Sequence, residues 1–342
     1  MTAAKKQQTK AGSAKASAEL RLMKEAKIRD LIGDAAGDRL EASGVLYRDG
    51  VFLVVCDNLP FFIRISGELS PKAPENGALG TNRPAKATSK KASPKTKESP
   101  KAKGQKGKES KGKESKEDAT AQAEGYEDLA YDPSGERHFT LSEAVPVKPK
   151  GFRARVQEYD ARLRPRGTAV LDFALSDANK GLEGLEWVER GGTGYLLGLC
   201  EGNRCTGGKE GRKPGGGRIQ VFRRGTGRWD RTDTIRLPAS LPFEDYSSVS
   251  VRDGRIAVLS QASSALWVGR LSPKKWQVDE GTVYSLPTDD KGRAVYGTAE
   301  GVSWISRDHV VVVSDRAKKG QENDHYRAKD QSIHVFLIPS GG

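Results

Sequence analysis

Five segments of this 342-residue chain repeat one pattern. They are SGVLYRDGVFLVVCD (43–57), EDLAYDPSGERHFTLSE (127–143), EGLEWVERGGTGYLLGLCE (183–201), SSVSVRDGRIAVLSQ (247–261) and EGVSWISRDHVVVVSD (300–315). The first position holds Ser43, Glu127, Glu183, Ser247 or Glu300. An aliphatic residue follows two places on (Val45, Leu129, Leu185, Val249, Val302), and Tyr47, Tyr131, Trp187, Val251 or Trp304 four places on. The last position holds Asp57, Glu143, Glu201, Gln261 or Asp315, always behind a small residue: Cys56, Ser142, Cys200, Ser260 or Ser314.

Apolar residues two apart give a strand one buried face. A turn rich in Gly, Asp and Arg follows, and then a mostly apolar second strand such as VFLVVC or VVVVS. A lone hairpin of this kind is not stable, so the copies must cover one another. From Glu127 onward the spacing leaves room for two more strands per copy. RIQVFRR (218–224) with TIRLP (234–238), and ALWVGRL (265–271) with TVYSLP (282–287), read as such pairs. Four antiparallel strands per repeat make a propeller blade, and the Leu-Pro endings suit outer edges. The predicted fold is therefore an all-β, four-stranded-blade β-propeller over residues 20–342. Five blades are visible and there is room for a sixth near residues 70–122. Residues 20–33 read either as a strand closing the last blade or as a short amphipathic helix.

The formal net charge of +13 is not spread over this domain. Residues 83–118 alone carry a net +8, and residues 1–15 carry four lysines, which leaves the remainder nearly neutral. The expectation is a disordered basic tail at 1–19 and a disordered lysine-rich insertion at 70–122, since neither holds enough apolar surface to order it. SPKTK, SPKAK and the tandem GKESK resemble linker-histone tails and open a route to nucleic acid. They lack the interleaved aromatics that stack bases, and a solvated linker is the plainer reading. No apolar run reaches the roughly 18 residues of a membrane span, and the N-terminus lacks a signal's apolar core. Three cysteines are too few for a disulfide scaffold. These points predict a cytoplasmic monomer.

A hairpin's first and last residues lie at the same end of a blade, so in a ring they crowd one mouth of the channel. Seven of the ten are carboxylates: Asp57, Glu127, Glu143, Glu183, Glu201, Glu300 and Asp315. The fourth repeat, with Ser247 and Gln261, is uncharged and makes the predicted ring one-sided. Like charges this close must take up protons, pair with bases or bind a cation. Lys180, Arg204 and Arg316 are near enough in sequence to serve as bases. Hard oxygen donors favour Ca²⁺, with Glu183, Glu201, Glu300 and Asp315 as the strongest ligands. Against this stands a structural role, in which each carboxylate accepts amides of the next blade.

Other motifs weigh less. Cys56 and Cys200 fill a position held elsewhere by serine and read as small packing residues, although the Cys200–Cys205 spacing permits a bridge. His138, His309, His325 and His334 are scattered and form no metal pattern with cysteine. The loop GNRCTGGKEGRKPGGGRIQ is no P-loop or dinucleotide motif and reads as a flexible lip beside Glu201. No GxSxG elbow is present.

The phrases NKGLEGLEWV (179–188), YLLGLCEGN (195–203) and AEGVSWI (299–305) resemble the EGL-type repeats of bacterial propellers, namely the SdiA-regulated group and the esterase-like-activity-of-phytase group. YEDLAYD, LCEGNRC, DYSSV, SQASSALWVGRL and KDQSIHVF resemble an uncharacterised bacterial β-propeller family. The resemblance implies a propeller with Ca²⁺ at acidic channel positions. Three functions are consistent with these features: a propeller binding a small ligand or cation, a Ca²⁺-dependent hydrolase of phosphate esters, esters or lactones, or a scaffold tethered by its basic segments.

Overall fold

A computed structural model describes residues 18–33, 39–79, 125–147, 151–175, 180–318 and 324–339. These residues form a β-propeller whose four-stranded units number five. Blade I consists of Ala42–Arg48, Val51–Cys56, Leu59–Ser66 and Gly77–Leu79, and blade II of Leu129–Asp132, Arg137–Pro146, Phe152–Tyr159 and Pro165–Asp172. Blade III is Leu182–Arg190, Thr193–Cys200, Arg218–Arg224 and Arg228–Arg236. Blade IV holds Ser248–Arg252, Arg255–Ser260, Ala265–Arg270 and Thr282–Ser285. Blade V takes three strands from the chain's end, Ala299–Trp304, His309–Ser314 and Ser332–Leu337, and its outer strand, Arg21–Lys27, from the chain's beginning. Residues 20–33 thus satisfy both readings: Arg21–Lys27 is the closing strand, and Ile28–Ile32 is a short helix. Ala18–Glu19 pairs in parallel with blade IV, so the first described residues bridge blades IV and V. The outer strands of blades II and III also pair in parallel, which merges the two into one eight-stranded sheet.

The apolar second strands explain the ring. In His309–Ser314, Val310 and Val312 pack with blade IV while Val311 and Val313 pack with blade I. In Val51–Cys56, Val54 faces blade V and Val55 faces blade II. A strand buried on both faces reads as a continuous apolar run. Each of the five apolar clusters lies between two neighbouring blades. The innermost strands abut in cyclic order and close the circle, leaving no room for a sixth blade among the described residues.

Two segments are more ordered than composition predicts. Gly77–Leu79 is the outer strand of blade I, so the insertion begins after residue 79 rather than at residue 70. Asn76 fixes the approach to that strand, with its amide nitrogen donating to the Leu31 and Ser70 carbonyls. Residues 18 and 19, expected in the basic tail, belong to the blade IV pairing above. Residues 1–17 and 80–124, including the SPKTK and GKESK repeats, lie outside the described residues. Among the described residues no helix is long and apolar enough to cross a membrane.

The axis is plugged midway. One residue into each repeat stand Gly44, Asp128, Gly184, Ser248 and Gly301. A Cβ on Gly301 would come within 2.9 Å of the Gly44 Cα, and one on Gly44 within 2.7 Å of the Asp128 Cα. Asp128 alone projects a long polar side chain there. Its carboxylate accepts hydrogen bonds from the amides of Leu129 (2.8 Å) and Leu185 (2.9 Å) and from the Ser248 hydroxyl (3.0 Å). Ser248 Oγ in turn accepts the Val302 amide at 3.1 Å, so this network joins blades II, III, IV and V. Asp128 is 1% exposed. Asp128→Ala would orphan these donors and is expected to cost about 2–4 kcal/mol, whereas Asp128→Asn should retain much of the stability. Urea unfolding monitored by tryptophan fluorescence measures both, and an alanine variant as stable as wild type would remove Asp128 from this role.

Candidate functional site

The acidic mouth is built by continuing each hairpin past its strands. The Asp57 amide donates to the Glu41 carbonyl (2.8 Å), that of Glu201 to the Gly181 carbonyl (3.2 Å) and that of Asp315 to the Thr298 carbonyl (2.7 Å). Each last position is thereby held beside the chain entering the same blade. Asp57, Glu127, Glu143, Glu183, Glu201, Glu300 and Asp315 all line one cavity of about 230 Å³.

Two further carboxylates in the same wall, Glu41 and Asp245, were not foreseen. Each stands two residues before a repeat's first position, and in both cases that position is serine, Ser43 or Ser247. Where the first position is Glu127 or Glu183, the residue two before it is glycine, Gly125 or Gly181. Residues two apart on an extended chain face the same way, so every blade contributes a carboxylate from its entering side. The fourth repeat is therefore acidic through Asp245, and the expected one-sided ring gives way to a closed one. The glycines have a reason of their own. A Cβ on Gly125 would lie 2.2 Å from Asp57 Oδ1, and one on Gly181 would lie 2.7 Å from Glu143 Cγ.

Part of the ring ties blades together, as the structural reading requires. Glu143 Oε1 accepts the Gly181 amide at 2.7 Å, and Glu300 Oε1 accepts from Gln261 Nε2 at 2.6 Å. Asp245 accepts from the Ser260 hydroxyl (2.6 Å) and the Ala262 amide (3.0 Å). Of the three bases expected, Lys180 reaches the ring with its side chain. Lys180 bonds Glu201 Oε1, and Lys318 also lines the cavity. Arg204 instead donates to the Lys213 carbonyl, and Arg316 is linked to the ring only through its backbone amide on Asp315.

Among the described residues nine carboxylates against two lysines leave a large excess of acid. Oxygens of Glu143, Glu183 and Glu201 all lie within 4.8 Å of one another. At that separation two ionised carboxylates repel by about 3 kcal/mol in a medium of effective dielectric near 20. Burial and then the charges of Glu127, Glu201, Glu143 and Glu300 push Glu183 well above the usual carboxylate range. Burial, Asp57 and Glu143 push Glu127 up to about 8, and burial takes Asp315 up to about 6. Burial also raises Glu143 and Glu201, and their interaction with Glu183 offsets part of the rise in each. Burial opposes the charge on Lys180, but its bond to Glu201 and the surrounding carboxylates outweigh this and raise its pKa. Among the described residues Glu201 Oε2 is buried without a hydrogen-bond partner. Of the four residues expected as metal ligands, Glu183 and Glu201 belong to this tight cluster and are joined by Glu143, while Glu300 and Asp315 stand outside it.

The loop expected as a flexible lip is folded, and residues 202–217 are not among those lining the cavity. Cys200 and Cys205 form a disulfide, in place of the small-residue packing expected of Cys200, while Cys56 remains a buried free thiol. The bridge also removes the basis for reading a reducing compartment from the cysteine count. Asn203, fully buried, donates to the Gly211 and Phe243 carbonyls and accepts from the Gly216 amide and the Tyr246 hydroxyl. The loop's own turns, Asn203–Cys205 and Gly208–Gly211, are folded around that side chain.

No protein-family model matches the sequence, and no curated protein matches it either. Solved structures with related folds include a glutaminyl cyclase from Myxococcus xanthus, at 11% identity over 94% of this chain and 97% of that one, with a TM-score of 0.49. An aldose sugar dehydrogenase from Streptomyces coelicolor, in its PQQ-bound form, matches at 11% identity over 92% and 98% of the two chains, with a TM-score of 0.40. The Swd1 β-propeller domain of Myceliophteria thermophila matches at 7% identity over 94% and 100%, with a TM-score of 0.41. Likeness at this level brings no activity or ligand to the present chain.

Proposed function

We propose that this protein is a cation-binding β-propeller whose acidic mouth takes a divalent ion of the calcium type. The observation that carries the reading is the cluster of Glu143, Glu183 and Glu201, whose oxygens lie within 4.8 Å of one another and include a buried acceptor without a hydrogen-bond partner among the described residues. Two oxygens on one Ca²⁺ at its usual 2.3–2.6 Å are at most about 5 Å apart, so three such donors can share an ion. All are hard carboxylate oxygens, which suits calcium rather than zinc. The remaining cavity volume admits water or a small ligand to complete the coordination. Binding would displace protons from these raised carboxyls, and Lys180 would compete for Glu201. The lysine-rich insertion takes no part in this reading, because its residues lie outside those described.

Calorimetry with Ca²⁺ on wild type should show one site, with proton release revealed by buffers of different ionisation enthalpy. Glu183→Gln should weaken binding at least about tenfold, and Lys180→Met should tighten it. Absence of heat, together with an unchanged melting temperature in millimolar Ca²⁺, would remove the ion from the site.

The ion-free protein should also lose stability as pH rises. A carboxyl whose pKa is higher folded than unfolded holds its proton more tightly in the native state, so stability falls between the two values. For Glu127 the window runs from 4.5 to about 8. His138, lowered to about 4 by burial, and buried His334, also lowered, act in the opposite direction below their ordinary value of 6.5. The clean interval is therefore pH 6.5–8, where each retained carboxyl proton is worth about 2 kcal/mol. Melting without divalent ions should fall across this interval and recover on adding Ca²⁺. A flat profile from pH 6.5 to 8 would contradict the protonated ring.

A further inference from the structure

A second cavity, of about 640 Å³, opens on the opposite face between blades IV and V. Its lining has the opposite character. Across the tight turn of blade IV, Arg252 stands opposite Arg255, and Arg255 stands opposite Arg270 on the next strand. Residues directly opposed in an antiparallel pair share a face, and like charges in that relation destabilise the sheet. Blade V brings Arg307 to the same cavity from its own hairpin turn.

These arginines do not serve as counter-ions for the fold. The two carboxylates in the cavity are occupied locally. Asp279 Oδ1 accepts the backbone amide of Arg270 at 2.8 Å, and Asp308 Oδ1 bonds the Ser306 hydroxyl and His309 Nδ1. Among the described residues none of Arg255, Arg270 and Arg307 forms a salt bridge. Arg255 is nonetheless fixed. Its guanidinium lies over the Trp304 ring, 4.6 Å from the centroid, and Nη1 donates to the Arg307 carbonyl. Arg270 and Arg307 are exposed at the rim. A sheet that sets arginine opposite arginine beside a cavity, with no salt bridge to either carboxylate there among the described residues, breaks a local rule in the way functional sites do.

We infer that this cavity binds a multiply charged oxyanion, of the phosphoryl class carried by phosphorylated small molecules. Arg255 is the anchor, pre-set by Trp304 to present its fork to a planar pair of oxygens. Arg270 and Arg307 supply the remaining charge from the rim. Tyr284 and Val268 form an apolar floor for the part of the molecule that carries the anion. The site is independent of the acidic mouth, which lies at the other end of the same strands.

The probe is inorganic pyrophosphate in calcium-free buffer, with sodium chloride added to controls to match ionic strength. Wild-type melting should rise by several degrees, roughly as mass action requires at concentrations well above Kd. Arg270→Gln should weaken pyrophosphate binding at least about tenfold in calorimetry. The same variant should melt at or above the ligand-free wild type, because one of two opposed charges is gone. Arg307→Gln should weaken binding from the other blade, and Glu183→Gln should bind pyrophosphate like wild type. The inference is overturned if pyrophosphate at matched ionic strength leaves melting unchanged. It is equally overturned if the two arginine variants bind as tightly as wild type.

Discussion

A blade of this protein has two apolar faces, and only another blade can cover each of them. Val310 and Val312 look one way from their strand while Val311 and Val313 look the other, and every second strand around the ring repeats the arrangement in some form. Such a sheet cannot stop at an edge. It must propagate until the last face meets the first, and the inward taper then brings five strands to an axis where only glycine, serine and one aspartate fit. The closed ring, the plug at Asp128 and the two unlike openings all descend from that requirement.

Closure has an electrostatic consequence. The ends of ten strands converge on one mouth, and the chain places acids at most of those ends. Water cannot screen them fully in a cavity of about 230 Å³. The molecule meets the cost in two ways: amides and side chains of adjoining blades absorb some lone pairs, and Lys180 and Lys318 supply positive charge. The remaining cost shows as carboxyls whose pKa values burial and neighbouring acids raise, Glu127, Glu183 and Glu300 among them.

The hairpins were legible because burial on both faces leaves a pattern that solvent exposure cannot blur. Outer strands were less so. Arg228–Arg236 was anticipated only from residue 234, since its sequence RWDRTDTIR is largely exposed and carries little apolar signal. Glu41 and Asp245 lie outside the repeat, which starts at its serine or glutamate two residues later. The spacing of Cys200 and Cys205 permits a bridge without requiring it, because Cys200 shares its repeat position with serines and the repeat pattern carries no sign that the following turn folds back on itself. The order of that loop depends on Asn203, whose five side-chain partners come from the loop itself and from residues 243–246.

The strand Arg21–Lys27 deserves a kinetic reading. Its partner, Ser332–Leu337, lies some three hundred residues downstream, and Lys27 reaches across that separation to the Arg327 carbonyl. On a ribosome the earlier strand emerges long before anything exists for it to pair with. Blades I to IV can assemble in order of synthesis, yet blade V stays three-stranded until the waiting segment returns, and contacts of such long range form slowly. Arg21–Lys27 therefore stays without its partner until Ser332–Leu337, the last strand of the ring, has been made.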